Sequence, residues 1–274
     1  MTDQDYVLGQ SEKEYRRLAT QARFLRPWTE HFFRSAGIGP GMSVLDLGSG
    51  IGDVSLLAAE MVGPGGHVLG IDRDAGGVDR ARQRAAENAC SDFVQFQTAN
   101  LDDFESEAPF DAVIGRYILL YQPDAAATLR RLKRFLRPGA IVVFHEVDFT
   151  NQNPSWPECV EWDQYYALVA EIFRRAGSPP DFGRRLGPTF LDAGLPWPVI
   201  EAIGAAGGGK GSYLYAWIAE ALLSVAPKLG QLGVVLADGM RLDDTLASRI
   251  EETVVKAGSQ ILGPIQHGAW TRNP

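Results

Sequence analysis

Short apolar runs alternate with helix-length stretches between Met42 and Asp148, and no other feature of the sequence limits the possible folds as strongly. Strands separated by helices form βαβ units and a parallel sheet. The predicted strands are Ser43–Leu47, His67–Ile71, Phe93–Thr98, Ala112–Gly115 and Ile141–His145, and the helices between them are Val54–Met61, Gly77–Asn88 and Ala125–Leu136. We therefore predict an α/β fold, doubly wound around a mostly parallel seven-stranded sheet with helical lid insertions.

The region before this alternation is predicted to be helical. Ser11 and Glu14 have the form of a capping box, with which many helices begin. Apolar residues then recur at a helical period up to Pro27, where we expect the first helix to end. A second helical piece is expected over Trp28–Ala36.

The alternation stops after Asp148, and longer helical patterns replace it. Helices are predicted over Glu158–Arg175, Arg184–Ala193, Tyr213–Ser224 and Asp243–Ala257, and late strands over Trp197–Ala205 and Ile265–Arg272. We expect the helices of 150–185 and 208–258 to form lids, and the late strands to complete the sheet. The predicted domains are an N-terminal helical flap (1–39), a ligand-binding core (40–149) and a helical lid and substrate region (150–274).

The charge balance limits the partners. The chain has 34 acidic and 26 basic residues, a formal net charge of −8, whereas affinity for nucleic acid depends on clustered Lys and Arg. Five basic residues do cluster between 130 and 137, at a spacing that suits the solvated face of one helix. We predict a small-molecule substrate and no nucleic acid, and leave open whether the chain forms a homo-oligomer.

Hydropathy and cysteine content indicate a cytoplasmic protein. No apolar run approaches the ~20 residues that a membrane-spanning helix needs, and residues 1–10 lack the basic-then-apolar order of a signal peptide. Cys90 and Cys159 are the two cysteines, a content typical of cytosolic proteins whose thiols stay reduced. We therefore expect no membrane partner.

The strongest local motif is Val44–Asp53, in which an apolar strand runs into a glycine-rich turn and then a helix. Glycines let the backbone turn sharply and let a ligand approach, and the start of a helix offers free N–H groups. A dinucleotide fingerprint needs Gly or Ala at the position occupied here by Asp53. With Asp46 before the turn, two carboxylates would repel a pyrophosphate and favour a ligand that has an ammonium and a sulfonium group.

Another acidic residue ends the second predicted strand. Asp72 lies 24 residues after Gly48, close to where a carboxylate accepts hydrogen bonds from ribose hydroxyls. The alternative is that Asp72 and Asp74 both cap the next helix, and we assign the cap to Asp74. The spacing therefore favours an adenosine-containing ligand.

Taken together, these motifs resemble those of class I S-adenosylmethionine-dependent methyltransferases of the small-molecule type. The resemblance covers about residues 40–148 and rests on the order and spacing of 44–53, Asp72, 99–101, 110–113 and 136–139. It implies a Rossmann-like fold, S-adenosylmethionine as cofactor, and transfer of a methyl group.

The resemblance also implies which residues contact the cofactor. Members of the family hold the methionine part at the glycine turn, the ribose at the end of the second strand and the adenine after the third. The matching residues are Asp46, Gly48, Ser49 and Gly50, then Asp72 and Arg73, then Asn100 and Leu101. Many members have Asp at the position of Asn100, whose amide keeps an acceptor but removes the charge.

Two further cofactor contacts are predicted outside these segments. Arg116 follows the fourth strand, at the edge nearest the transferred methyl, and either contacts the cofactor or forms a structural ion pair. The N-terminal helix, with Tyr15 and Gln21, resembles the flap that closes over the cofactor in related methyltransferases. The alternative is an ordinary surface helix.

The catalytic residues are less clearly indicated. Orientation supplies much of the rate of methyl transfer, and a base is needed only where the nucleophile must lose a proton. His145, Glu146 and Asp148 lie at the carboxyl edge of the sheet. We predict His145 and Glu146 as catalytic, with a structural histidine as the alternative, and predict no metal because such close spacing on one strand is poor ligand geometry.

Aromatic residues concentrate in the lid region, where they are expected to wall a pocket for a small aromatic or heteroaromatic substrate. They are Trp156, Trp162, Tyr165, Tyr166, Tyr213, Tyr215 and Trp217. The alternative is that they pack the core of the lid itself. Two rival functions stay open: an NAD-type oxidoreductase, and a methyltransferase-fold protein that acts as a cyclase.

Overall fold

The computed structural model describes residues 12–274, with side chains of the first helix described at residue 18 and from residue 20 onward. Within that range, the α-helices are α1 Glu12–Ala36, α2 Asp53–Val62, α3 Ala75–Glu87, α4 Ala125–Leu132, α5 Val160–Arg175, α6 Phe182–Asp192, α7 Tyr213–Val225 and α8 Leu246–Ala257. The strands are β1 Ser43–Leu47, β2 His67–Asp72, β3 Val94–Thr98, β4 Phe110–Arg116, β5 Leu136–Asp148, β6 Ser155–Trp156, β7 Val199–Gly207 and β8 Gln260–Arg272.

The chain divides into two compact units. The core unit consists of 18–146, 182–202 and 267–274, and the second unit consists mainly of 147–181 and 203–266. Strands β5, β7 and β8 each have residues in both units. The three predicted domains stay a prediction, and the compact units group α6 and the end of β8 with the core.

The core unit has the predicted doubly wound sheet. Its strand order is β3-β2-β1-β4-β5-β8, and the pairs among β1 to β5 are all parallel. The chain moves outward from β1 to β3 and then crosses to β4 on the other side of β1. This reversal is a topological switch point, beyond which ligands of such sheets bind. The predicted α/β class is confirmed.

The parallel strands form because their side chains are buried on both faces. Val44, Leu45 and Leu47 of β1 are completely buried, and so are Ile141, Val143 and their neighbours in β5. Helices α2 and α3 pack on the sheet through an apolar stripe that includes Leu57, Ala58, Val78 and Ala81. At ~25 cal/mol per Å² of apolar surface, this burial is the main stabilisation of the core.

The predicted break at Pro27 is wrong, because α1 continues through it to Ala36. A proline inside a helix removes one backbone hydrogen bond and normally kinks or ends it. Here Leu25, Phe32 and Phe33 are buried on one face of the helix. Their packing on the core outweighs the tendency of Pro27 to end the helix.

The second unit is built mainly from α5, α7 and α8. Phe149 stacks on Phe173 and on Trp217, with ring centroids 5.0 and 6.1 Å apart. The two-residue strand β6 pairs antiparallel with the first part of β8, and β7 also pairs with β8. This short strand brings the sheet to eight strands in the described residues, one more than predicted. A two-residue strand has no pattern that a sequence could reveal.

No helix among the described residues is long and apolar enough to cross a membrane.

Candidate functional site

The carboxyl ends of the parallel strands bring the predicted site residues to one edge of the core unit. Leu47 pairs with Ile71 on one side and Gly115 on the other, so the residues that follow β1, β2 and β4 emerge together. Asp72 lies opposite Thr98, and Arg116 lies opposite His145. The turn after β1 therefore has the ends of β2 and β4 as its neighbours.

The glycine turn after β1 has a backbone that only glycine adopts easily. Gly48 has φ +65° and Gly50 has φ +51°. Ser49 donates its N–H to the carbonyl of Ile71 at 3.0 Å, which fixes the turn to the end of β2. A Cβ at Gly48 would lie 2.5 Å from the Ile118 side chain, whereas a Cβ at Gly50 would meet no atom within 4 Å. The open side of the turn is at Gly50, where a ligand can approach the backbone.

Asp72 is a half-buried carboxylate that contacts the same turn. It accepts the N–H of Gly50 and the N–H of Asp74, both at 2.8 Å. Burial raises the pKa of Asp72, and the two backbone hydrogen bonds oppose that shift. A carboxylate has about four lone-pair sites, so capacity remains for ribose hydroxyls. The cap on α3 comes from Asp74, which accepts the N–H of Gly76, as predicted.

Two polar atoms at the glycine turn are buried and unpartnered. Asp46, near the end of β1, is completely buried, and its Oδ2 accepts the Ser55 hydroxyl at 2.5 Å. Its Oδ1 and the hydroxyl of Ser49 have no partner within the described residues. Burial raises the pKa of Asp46 to about 7.

The surroundings of Asp53 differ from those that the sequence suggested, because its carboxylate is paired with an arginine. It begins α2, and its Oδ1 pairs with Arg84 Nη2 at 2.7 Å. Arg84 also donates to the carbonyl of Ile51. Because this ion pair offsets the charge of Asp53, electrostatic repulsion of a pyrophosphate by Asp53 is weaker than the isolated motif implies.

Three of the other predicted cofactor residues, Arg73, Asn100 and Leu101, follow β2 and β3 at this edge, and Gln21 lies on α1. Asn100 and Leu101 lie two and three residues after β3, where Asn100 is exposed and Leu101 is half-buried. Just before them, Ala99 donates its N–H to the carbonyl of Asp72 at 2.9 Å. Arg73 is exposed beside Asp72, and Gln21 is half-buried on α1. The side chain of Tyr15 lies outside the described part of the chain.

Arg116 and His145 meet at a threonine that the sequence did not single out. Arg116 Nη1 donates to Thr29 Oγ1 at 3.3 Å, and the same oxygen lies 3.0 Å from His145 Nδ1. Burial lowers the pKa of Arg116, and the charges of Asp53 and Asp46 oppose that shift. No carboxylate in the described residues forms an ion pair with Arg116. The structural ion pair that was the alternative to a cofactor contact is therefore not observed among those residues.

Both residues predicted to be catalytic are completely buried. The His145 ring lies between Phe32 and Tyr117, with T-shaped contacts of 5.1 and 5.6 Å. Glu146 Oε1 accepts the N–H groups of Ile118 and Leu119. Burial raises the pKa of Glu146 to about 8. The catalytic assignment stays a prediction, and neither side chain is exposed to a substrate in this structure.

Asp148, the third acidic candidate on this strand, lies in the second unit and accepts the N–H and hydroxyl of Thr150. Within residues 12–274, no three His, Cys, Asp or Glu side chains group closely enough to hold a metal ion.

The lid aromatics that were expected to wall a pocket are mostly core residues. Trp162, Tyr165, Tyr166 and Tyr215 are at most 2% exposed, and they pack within the second unit. The alternative, in which these rings pack the lid's own core, is therefore the one observed. Periodicity alone could not separate the two, because a pocket wall and a core face have the same helical spacing.

Comparison of the sequence with known proteins identifies a family and several relatives that it resembles. The family described as "Methyltransferase domain" matches residues 38–177. Among relatives, the 2-phytyl-1,4-naphtoquinone methyltransferase of Trichormus variabilis is 36% identical over 163 residues, which are 57% of this chain and 68% of that protein. The arsenite methyltransferase of Halobacterium salinarum is 33% identical over 129 residues, 47% of this chain and 32% of that protein. The chain thus spans about a third of the length of the second relative.

Solved structures share the fold at low identity. A methyltransferase-like protein from Bacillus halodurans superposes with a TM-score of 0.59 at 17% identity, over 90% of this chain and 98% of that one. The [4+2]-cyclase SpnF superposes with a TM-score of 0.56 at 17% identity, over 90% of this chain and 81% of that one. At this identity the likeness concerns the fold alone.

Proposed function

The chain belongs to the methyltransferase-domain family of S-adenosylmethionine-dependent enzymes, and from that premise we propose that it transfers a methyl group from S-adenosylmethionine to a small metabolite. The observation that carries the proposal is the hydrogen bond that the N–H of Gly50 donates to the Asp72 carboxylate. It joins a carboxylate at the end of β2 to the open side of the glycine turn, at the switch point of the sheet.

The residues at this edge fit the cofactor. The open space at Gly50 admits a ligand against the backbone, and Asp72 has lone pairs left for ribose hydroxyls. The unpartnered oxygens of Asp46 and Ser49 belong to the end of β1 and to the turn that would hold the methionine part. When bound, S-adenosylmethionine supplies an electrophilic methyl group on a sulfonium.

Five further residues are part of the proposal. Asn100 accepts a hydrogen bond from the adenine amino group, and Leu101 packs beside the ring. Arg116, which lacks a carboxylate partner in the described residues, binds the anionic carboxylate end of the cofactor. Arg73, which follows Asp72, and Gln21 of α1 complete the proposed set.

The substrate is proposed to be a small molecule rather than a nucleic acid. Relatives are named for naphthoquinone, menaquinone and arsenite methylation, which supports small acceptors, aromatic ones included. The basic cluster at 130–137 is engaged by the core: Arg131 donates to the carbonyl of Phe104 and Lys133 to that of Gly194. Such side chains are not available as a phosphate-binding patch.

Methyl transfer is proposed to depend mainly on orientation. The predicted bases His145 and Glu146 are buried and bonded to neighbouring groups, so the accessible chemistry at this edge consists of binding and alignment. We also infer that the protein works in the cytoplasm, which both buried cysteines, Cys90 and Cys159, support because they are free thiols.

The proposal is tested with labelled S-adenosylmethionine. The protein is incubated in separate arms with a panel of quinols and phenols, with arsenite, with tRNA and with bulk protein, and label transfer is measured. We expect transfer to a small acceptor. Transfer to tRNA alone would overturn the substrate class. Cofactor binding with no transfer to any acceptor, but with ring formation in a polyene substrate, would favour the cyclase function.

A further inference from the structure

Three successive backbone N–H groups after β4 are bound by two successive residues of β5. Tyr117 donates to the His145 carbonyl at 2.9 Å. Ile118 and Leu119 donate to Glu146 Oε1 at 3.0 and 2.8 Å. The carboxyl end of β5 therefore holds the loop that follows β4 through its backbone, at the edge where the site lies.

This loop has a conformation that needs such support. Tyr117 has φ +55°, a left-handed conformation that is unfavourable for a bulky residue and persists only where its surroundings impose it. A short 3₁₀ helix, Leu119–Tyr121, begins directly afterwards. The first N–H groups of a helix have no partner within it, and Glu146 accepts them, which is a strong charge-assisted bond when the carboxyl is ionised.

The loop in turn touches the glycine turn. Ile118 lies against Gly48 and Gly115, since a Cβ on either glycine would come within 2.5–2.7 Å of its side chain. The side chain of Ile118 therefore fills the space between the end of β4 and the turn that follows β1. A shift of the loop would move Ile118 and remove the support of Gly48.

We propose that Glu146 is a positioning residue for methyl transfer, which holds the loop after β4 and, through Ile118, the glycine turn of the cofactor site. The inference rests on the proposed function and assigns Glu146 a role other than that of a base. Its side chain has no exposed surface, Oε1 is engaged by two N–H groups, and Oε2 meets neither solvent nor a polar partner within the described residues. A base must reach the proton that it removes.

The test compares Glu146→Gln with Glu146→Ala by calorimetry with S-adenosylmethionine and by kinetics with the acceptor that the label-transfer experiment identifies. Glutamine keeps an oxygen at the Oε1 position, so we expect a dissociation constant within about 3-fold of the wild type. Alanine removes the acceptor, so we expect the dissociation constant to rise about 10-fold or more, the effect of an orphaned pair of N–H groups. Ile118→Ala, which leaves Glu146 intact, should weaken cofactor binding in the same way.

Asp124→Ala is the matched control. Asp124 Oδ1 accepts the N–H of Ala127 at the start of α4, so this variant also removes a carboxylate from a helix start. It should lower the melting temperature and leave cofactor affinity unchanged. An equal loss of affinity in Asp124→Ala and Glu146→Ala would mean that general destabilisation, and not the loop, explains the effect.

Two results would overturn the inference. One is Glu146→Ala with wild-type cofactor affinity. The other is Glu146→Gln that binds the cofactor normally but loses turnover ~100-fold or more, which would make Glu146 a base. If the wild type itself binds no S-adenosylmethionine, the proposed function fails. Amide hydrogen exchange at residues 117–119 then still tests whether Glu146 holds the loop after β4. Exchange should accelerate in Glu146→Ala and not in Glu146→Gln.

Discussion

The two units bury different kinds of side chain. The core unit buries three polar ionisable side chains, Asp46, His145 and Glu146, next to the carboxyl edge of its sheet. The second unit buries one carboxylate, Asp148, and its largest buried side chains are Trp162 and neighbouring tyrosines. A buried polar or charged group costs several kcal/mol unless it is compensated, whereas buried aromatic rings stabilise through the area that they bury and through ring contacts. The difference agrees with the proposal that the cofactor binds to the core unit, and it assigns most of the second unit's aromatic rings to packing.

The largest expected effect concerns that aromatic packing. Trp162→Ala should lower the free energy of unfolding by about 3–5 kcal/mol, the usual cost of emptying a buried tryptophan site. Denaturant unfolding would measure it. Trp156→Ala is the control, because Trp156 is 81% exposed and should have almost no effect. If Trp162→Ala kept its stability but raised the KM for the acceptor, the aromatics would belong to the substrate site after all.

The next effect concerns the ribose site in the core. Asp72→Ala should weaken S-adenosylmethionine binding by about 1.5–3 kcal/mol, the loss expected for hydrogen bonds to a charged group. Calorimetry would measure it, with Asp74→Ala as the control that removes only the cap of α3. Asp74→Ala should bind as the wild type does. Equal affinity in Asp72→Ala would remove Asp72 from the cofactor site.

A smaller effect separates packing from catalysis at His145. Because the His145 ring is buried and its Nδ1 forms a hydrogen bond with Thr29, we expect Thr29→Val to lower the free energy of unfolding by about 1–3 kcal/mol. His145→Ala should lower it by more, since it also empties a buried ring site. The pH profile of turnover should keep its shape in both variants. If His145→Ala instead lost ~100- to 10,000-fold in turnover at an unchanged melting temperature, the general-base prediction would stand.

The last effect is a pH dependence of stability. Burial raises the pKa of Glu146 from 4.5 to about 8 and that of Asp46 from 3.8 to about 7. The folded state therefore holds protons that the unfolded state has lost. The stability that these groups contribute should be full below about pH 4 and should fall as the pH rises toward 8. Urea midpoints across that range would show it. The loss of stability should be smaller in Glu146→Gln. A rise in stability with pH would contradict the raised pKa values of Glu146 and Asp46.

Local patterns predicted the fold of the core well. Strand β1 has the predicted bounds, and β2 and α2 differ from prediction by two residues or fewer. These elements follow from short-range physics: apolar runs of strand length, a glycine turn that needs positive φ, and a helix that starts beyond it. The location of Asp72 at the end of β2 follows from the same pattern.

The sequence by itself thus determined the α/β class, the glycine turn and the strand-end location of Asp72, because these depend on residues close together in the chain. Tertiary structure alone decided that α1 continues through Pro27, that Arg84 pairs with Asp53, and that Glu146 accepts backbone N–H groups of the loop after β4. Each of these depends on groups 27 or more residues apart, or on burial that outweighs a local preference. Local patterns carry no information about such partners, because packing chooses them only after the sheet has formed.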